Sequence, residues 1–129
     1  MAATGPVRGT RVLLVEDNPA VRAAIRHMLE SIGCEVVEAA HGHAALMQLD
    51  AGARVDLVLS DLSMPEMGGQ GLSRALRDRG SSLPILLTSG FAGPEVFPDG
   101  RRVLHKPLHT ATLAAAIAEA LGGRGALGG

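Results

Sequence analysis

The apolar residues of this chain fall into two kinds of segment that alternate along it. Short apolar runs without polar alternation, such as RVLLV at Arg11–Val15, are typical of strands covered on both faces of a parallel sheet. Five segments are predicted as strands on this basis: Arg11–Val15, Glu35–Ala39, Asp56–Ser60, Ile85–Thr88 and Val103–His105.

Between these strands the apolar residues recur at helical spacing. Before the first such segment, Asn18 offers an N-cap and Pro19 suits the first helical position, and Gly33 suits the end of that helix. The other predicted helices are Ala44–Asp50, Gly69–Arg79 and Thr110–Leu121.

Strands that alternate with helices through short connections predict an α/β fold with helices on both faces of a parallel sheet. A five-stranded sheet of order 2-1-3-4-5 is the natural arrangement of this class. The sequence predicts one such domain at residues 11–121. A loose Gly/Pro/Thr-rich arm at residues 1–10 precedes it, and a flexible Gly-rich tail at residues 122–129 follows it.

Charged and hydroxyl side chains stand at the carboxyl ends of the predicted strands. Glu16 and Asp17 follow the first strand, Asp61 follows the third, Thr88 ends the fourth and Lys106 follows the fifth. Ligands of open α/β sheets bind beyond this edge. We therefore expect three carboxylates, a hydroxyl and an ammonium group to converge there.

Three carboxylates in one place repel each other, and a hard divalent cation relieves that repulsion. Mg²⁺ prefers oxygen ligands, so we predict Asp17 and Asp61 as direct ligands and Glu16 as a ligand through water. The backbone carbonyl of Ser63 is a further candidate ligand.

The carboxylate of Asp61 is also a candidate nucleophile toward a phosphoryl group, because aspartyl phosphates are a known covalent species. Lys106 and Thr88 would then bind phosphoryl oxygens. Together with Mg²⁺ these side chains form a complete set for phosphoryl transfer.

Four motifs resemble those of response-regulator receiver domains, especially the receivers attached to hybrid sensor kinases. They are LLVEDN at 13–18, DLSMPEMGG at 61–69, LLTSG at 86–90 and HKPL at 105–108. The resemblance runs from about Arg11 to Leu121.

The resemblance implies that Asp61 is the phosphoacceptor, that Glu16 and Asp17 form the acidic pair, and that Thr88 and Lys106 are the switch hydroxyl and the family lysine. It implies a histidine kinase or a histidine phosphotransfer protein as the partner. It implies a signalling domain, not an enzyme in the ordinary sense, which takes part in its own phosphorylation and dephosphorylation. The peptide bond between Lys106 and Pro107 is expected to be cis.

The chain departs from the family pattern at three places. Glu16 replaces the more common aspartate, and Val103 stands where receivers carry an aromatic switch residue. Phe91 and Phe97 are the two aromatic residues that remain as substitutes. The Gly- and Pro-rich segment before Lys106 predicts that the helix between the fourth and fifth strands is missing or reduced to one turn at Pro94.

That shortened segment lies where many receivers form a dimer face, so we expect a monomer or a weak dimer. Charge is balanced, with 12 Lys and Arg against 13 Asp and Glu, which favours neither nucleic acid nor a membrane surface as a direct partner. The chain shows no export signal and no apolar run of roughly 20 residues, and a cytoplasmic protein is the expectation. The lone Cys34 is predicted to be a small buried hydrophobic residue.

Two other functions stay open at this point. One is an interaction module that keeps the fold and does not depend on phosphorylation, which Val103 favours. The other is a Mg²⁺-dependent phosphatase with an aspartyl nucleophile, but Ser63 occupies the position where such enzymes need a second acid. The glycines at 68, 69 and 71 match no phosphate-binding motif, and the His41–His43 pair is assigned no function.

Overall fold

The apolar runs form the five strands of one parallel sheet, and the segments with helical spacing form helices on both of its faces. The structure is a computed structural model and describes residues 7–64, 67–90 and 101–128, with side chains up to residue 122. Its elements are β1 Arg11–Val15, α1 Pro19–Ser31, β2 Glu35–Ala39, α2 Gly42–Asp50, β3 Leu57–Asp61, α3 Gly69–Asp78, β4 Ile85–Ser89, β5 Arg102–His105 and α4 Thr110–Gly128.

The sheet order is β2-β1-β3-β4-β5, and all four strand pairs are parallel. This confirms the predicted fold class and strand order. β3 is the central strand and β1 is its parallel neighbour, so the residues that follow these two strands stand side by side at the carboxyl end of the sheet. Among the described residues, no helix combines the length and apolar character that a membrane span requires.

Two apolar cores cover the faces of the sheet, because alternate strand residues point to opposite sides. In β1, Val12 and Leu14 pack toward α1 and α4, while Leu13 and Val15 pack toward α2 and α3. The first core continues through Ile25, Leu29, Leu113 and Ile117, and the second through Ala45, Leu46, Leu72 and Leu76. Aliphatic side chains therefore supply the burial that holds the sheet rigid, at about 1.5–3 kcal/mol for each fully buried one.

The first helix begins as the sequence indicates. The Asn18 side chain accepts hydrogen bonds from the backbone N–H groups of Ala20 and Val21, and Pro19 is the first helical residue. Gly33 follows the helix with a φ of 95°, a left-handed conformation that favours glycine. These end signals fix where α1 starts relative to the acidic residues before it.

Several elements begin or end one or more residues away from the predicted positions, and two of these differences are informative. β3 ends at Asp61, so this carboxylate belongs to the strand itself and takes its position from the sheet. The last helix continues to Gly128, beyond the predicted end at Leu121. No proline interrupts that segment, and a helix that has already formed can continue through glycine at about 1 kcal/mol per residue.

The prediction of a loose arm at residues 1–10 is wrong for residues 7–10, while residues 1–6 lie outside the described part. Val7 is fully buried in the core beside α1, and the Cys34 thiol donates to its carbonyl oxygen. The backbone N–H of Gly9 donates to Gly33. The Gly-, Pro- and Thr-rich composition of residues 1–10 suggested a flexible arm. The contacts that anchor Val7 form only once α1 and β2 have packed together, so the composition does not reveal them.

Cys34 is buried, as predicted, at 6% exposure. Burial raises the pKa of its thiol to about 11, so the thiol stays protonated at neutral pH. Its role in the fold is packing against the segment that carries Val7.

Residues 90–101 connect β4 to β5, and among the described residues no helix lies between these strands. The predicted shortening of the helix concerns residues 91–100, which lie outside the described residues. The predicted turn at Pro94 and the substitutes Phe91 and Phe97 lie outside the described residues. Val103, at the family's aromatic position, is buried in β5 at 3% exposure.

Replacing Val7 by alanine should lower the free energy of unfolding by about 1–3 kcal/mol, because it removes buried methyl groups and leaves a cavity. Urea denaturation at equilibrium measures this change. Arg8→Ala, at an exposed neighbouring position, should change stability by less than about 0.5 kcal/mol. Equal stability of Val7→Ala and the wild type would show that the segment does not contribute to the core.

Candidate functional site

Three carboxylates meet at the carboxyl edge of the sheet. Glu16 and Asp17 directly follow β1, and Asp61 ends the neighbouring β3. One carboxylate oxygen from each lies within 4.8 Å of those of the other two. Within the described ranges, this is the one group of three or more His, Cys, Asp or Glu side chains close enough to share a metal ion.

The carboxylate of Glu16 is almost fully buried, with 3% of its side chain exposed. One oxygen accepts from the Lys106 ammonium at 3.0 Å, and the other accepts from the backbone N–H of Asn18 at 3.1 Å. Both oxygens thus have protein donors. The extra methylene of glutamate, relative to aspartate, gives this side chain its reach toward Lys106.

Lys106 follows β5 and lies between two acids. Its Nζ is 3.0 Å from Glu16 Oε1 and 3.6 Å from Asp61 Oδ1. The backbone N–H of Lys106 donates to Ser89 at 2.7 Å, which ties the end of β5 to the end of β4. The peptide bond between Lys106 and Pro107 is cis, as the resemblance implied.

Asp61 is difficult to ionise where it stands. Burial raises the pKa of its carboxyl above the ordinary value, and the nearby charge of Asp17 adds to that increase. The ammonium of Lys106 and a backbone hydrogen bond from Ser63 lower the pKa, but they do not cancel the effect of burial. A cation at this place would favour the ionised carboxylate.

The other two predicted residues also lie at this edge. Thr88 is 1% exposed, and its Cα stands directly across from that of Asp61 in the β3–β4 register. Ser63 reaches Asp61 through its backbone N–H group. The structure therefore brings all six predicted site residues to one edge of the sheet.

Two glycines allow the loop after Asp61 to pack closely. A Cβ atom on Gly69 would lie 2.5 Å from a methyl group of Leu87 and 2.9 Å from the carbonyl oxygen of Asp61. On Gly68 it would lie 2.4 Å from the carbonyl oxygen of Leu62. These glycines serve close packing beneath the site, and sequence reasoning recognised only that they match no phosphate-binding motif.

Sequence reasoning missed Arg22 in α1. Its guanidinium donates to the backbone carbonyl oxygen of Glu16 at 2.9 Å and to the carboxylate of Glu38 at 3.1 Å. A single arginine in the first turns of a helix carries no signal in one sequence. His41, by contrast, is the N-cap of α2 and accepts from the N–H of Ala44, which gives it a structural role.

The donors present suit a hard divalent cation. Asp17 is exposed and free to turn toward an ion, and Asp61 offers a second carboxylate beside it. Mg²⁺ keeps several of its waters in proteins, so two carboxylates and a carbonyl oxygen are a sufficient protein contribution. The site residues therefore fit Mg²⁺.

The profile of the family described as "Response regulator receiver domain" matches residues 12–118. The chain belongs to this family. The receiver is also 45% identical over 82 residues to the sensor kinase CckA of Brucella abortus, a match that covers 63% of this chain and 9% of that protein.

Solved structures agree with this assignment. The chemotaxis protein CheY4 of Vibrio cholerae is 30% identical, with a TM-score of 0.77 over 88% of this chain and 99% of that one. The receiver domain from the hybrid histidine kinase CckA is 35% identical, with a TM-score of 0.72 over 86% of this chain and 98% of that one. The receiver thus resembles both a chemotaxis regulator and the receiver of a hybrid kinase.

Asp61→Asn should make the metal-free receiver more stable than the wild type at about pH 7. The folded-state pKa of Asp61 lies above its unfolded value, so its ionised form opposes folding. The penalty is absent below the ordinary pKa of about 4, grows as the pH rises above that value, and is complete once the pH exceeds the folded-state pKa. Lys106 keeps its closer partner Glu16 in this variant.

Urea denaturation with a chelator at about pH 7 and again below about pH 4 measures the effect. Asp78→Asn, on the exposed surface of α3, is the matched control and should show no comparable gain. A lower stability of Asp61→Asn than of the wild type at neutral pH would contradict this account of the site.

Proposed function

We propose that the receiver accepts a phosphoryl group on the carboxylate of Asp61 from a phosphohistidine of a histidine kinase or a histidine phosphotransfer protein. The observation that carries the proposal is the position of Asp61 beside Asp17, with Lys106 Nζ 3.6 Å from its carboxylate, in a chain of the receiver family. The similarity to the sensor kinase CckA supports a kinase as the partner.

In the proposed step, an oxygen of Asp61 attacks phosphorus and forms a P–O bond. The P–N bond to the donor imidazole breaks, its electron pair returns to the nitrogen, and a proton from solvent can then bind there. Lys106 is close enough to bind an oxygen of the transferred group, and Thr88 stands across the sheet register to bind another.

Asp17 and Asp61 would hold Mg²⁺ directly, with the carbonyl of Ser63 as a third protein ligand. Bound there, Mg²⁺ supplies positive charge that neutralises the phosphoryl oxygens. The role of Glu16 as a ligand through water stays part of the proposal, although both its oxygens have protein donors in the structure. Its direct contact supports a second role, in which Glu16 holds the Lys106 ammonium next to Asp61.

The same groups provide a path for a conformational switch. Thr88 is joined through Ser89 to the backbone of Lys106, because the Ser89 carbonyl accepts from the Lys106 N–H group. The ends of β4 and β5 are therefore connected. If the Thr88 hydroxyl and the Lys106 ammonium shift toward phosphoryl oxygens, the ends of both strands would move together. Attack of water on the acyl phosphate would release inorganic phosphate and restore the Asp61 carboxylate. The phosphorylated state is thus a temporary signal of the domain.

One observation favours a second candidate, an interaction module that works without phosphorylation. Val103 is a buried aliphatic residue where the family carries an aromatic switch. The complete set of Asp17, Asp61, Thr88 and Lys106 supports the phosphoacceptor more strongly. Partner binding that is identical for the wild type and Asp61→Asn, with and without phosphodonor, would favour the module.

Incubation with a small phosphodonor and Mg²⁺ should add the mass of one phosphoryl group to the receiver. Intact-mass spectrometry measures the gain, which should disappear in Asp61→Asn and when a chelator removes Mg²⁺. Asp78→Asn, an exposed carboxylate away from the site, should be modified like the wild type. An unmodified wild type, under conditions that modify another receiver, would count against the proposal.

A further inference from the structure

Arg22 lies in α1 and connects two parts of the molecule that flank the acidic residues. Its Nη1 donates to the backbone carbonyl oxygen of Glu16 at 2.9 Å, and its Nε donates to Oε1 of Glu38 in β2 at 3.1 Å. The side chain is 22% exposed. The guanidinium therefore bridges the turn after β1 and the edge strand β2.

The carbonyl that Arg22 contacts belongs to the peptide unit that leads directly into Asp17. A peptide unit is planar, so the Glu16 carbonyl and the nitrogen and Cα of Asp17 share one plane. On the other side of Glu16, its own N–H donates to the carbonyl oxygen of Ala39 at 3.1 Å. With both backbone groups of Glu16 held, the position of the Asp17 Cα, from which the exposed side chain extends, is set.

Glu38 is well placed to hold Arg22 still. Its carboxylate also accepts from Arg26 in the next turn of α1. Its backbone carbonyl accepts from the side chain of Gln48 in α2 at 2.7 Å. Arg26 uses the other carboxylate oxygen, so the Glu38 oxygen that Arg22 contacts is held by the position of Glu38 in β2 and by the bond from Gln48.

We propose that Arg22 is a positioning residue for the metal site: by holding the Glu16–Asp17 peptide, it keeps the Asp17 carboxylate directed toward Asp61 for Mg²⁺. This inference rests on the proposed function, because it assigns Asp17 and Asp61 as the direct ligands. Arg22 itself touches neither the metal nor the phosphoryl group, and it acts through the backbone.

A positioning role and a purely electrostatic role predict opposite results. The guanidinium is a positive charge near a cation site, so its removal through charge alone would tighten Mg²⁺ binding. Its removal as a positioning group would weaken binding, because groups that orient metal ligands typically contribute roughly 10–100-fold in affinity. The sign of the change therefore separates the two roles.

Arg26 provides a matched control. It lies four residues later in the same helix, pairs with the same carboxylate of Glu38 and carries the same charge. It is more exposed than Arg22, with 46% of its side chain exposed, and its recorded side-chain partners are Glu30 and Glu38. Arg26→Gln removes the same charge without removing a contact to the acidic turn.

The experiment is a Mg²⁺ titration of the wild type, Arg22→Gln, Arg22→Lys and Arg26→Gln, followed by the amide NMR signals of the turn after β1. The chain has no Trp or Tyr, so NMR replaces intrinsic fluorescence as the readout. We expect the dissociation constant to rise about tenfold in Arg22→Gln. Arg22→Lys should lose at least as much affinity, because a lysine keeps the charge but lacks the planar fork that spans both partners.

Arg26→Gln should bind Mg²⁺ within about twofold of the wild type, as expected for an exposed charge screened by solvent. Unchanged or tighter binding in Arg22→Gln, or equal weakening in Arg26→Gln, would overturn the positioning role while leaving the proposed function intact. A wild type that does not bind Mg²⁺ at this turn would instead overturn the proposed function. Equal urea midpoints of the Arg22 and Arg26 variants would confirm that the difference in affinity is local.

Discussion

The crowding of negative charge at the carboxyl edge of the sheet is the constraint on which the rest of the structure depends. Three carboxylate oxygens lie within 4.8 Å of one another, and two of the three side chains are buried. Like charges at such distances oppose each other strongly, and more so when water is excluded. Lys106 is nearer to Glu16 than to Asp61, so Asp61 is left incompletely neutralised and is the place where a cation relieves most strain.

The sheet holds this strained arrangement in place. The parallel register places Asp61 beside Thr88. The hydrogen bond from the Lys106 N–H to the Ser89 carbonyl aligns the end of β5 with the end of β4. The absence of a side chain at Gly69 lets α3 approach the Asp61 backbone. The burial of aliphatic side chains on both faces thus provides the rigidity that keeps like charges together.

The fold and the main site residues could be predicted from the sequence because they follow from local patterns. Unbroken apolar runs indicated the strands, and the rule that ligands bind at carboxyl ends brought Asp61 and Lys106 together before any distance was known. Three features could not be predicted: the burial of Val7, the direct contact of Glu16 with Lys106, and the bond from Arg22 to the acidic turn. Each depends on a side-chain contact between segments that meet only after packing.

Locating the phosphoryl group in the chain tests the central claim most directly. An acyl phosphate formed with Mg²⁺ and a small phosphodonor can be reduced by borohydride to an alcohol, and peptide mass spectrometry then identifies the modified residue. The account predicts modification of Asp61 alone. Modification at Asp17, at Glu16 or at any other residue, or none where another receiver is modified, would contradict it.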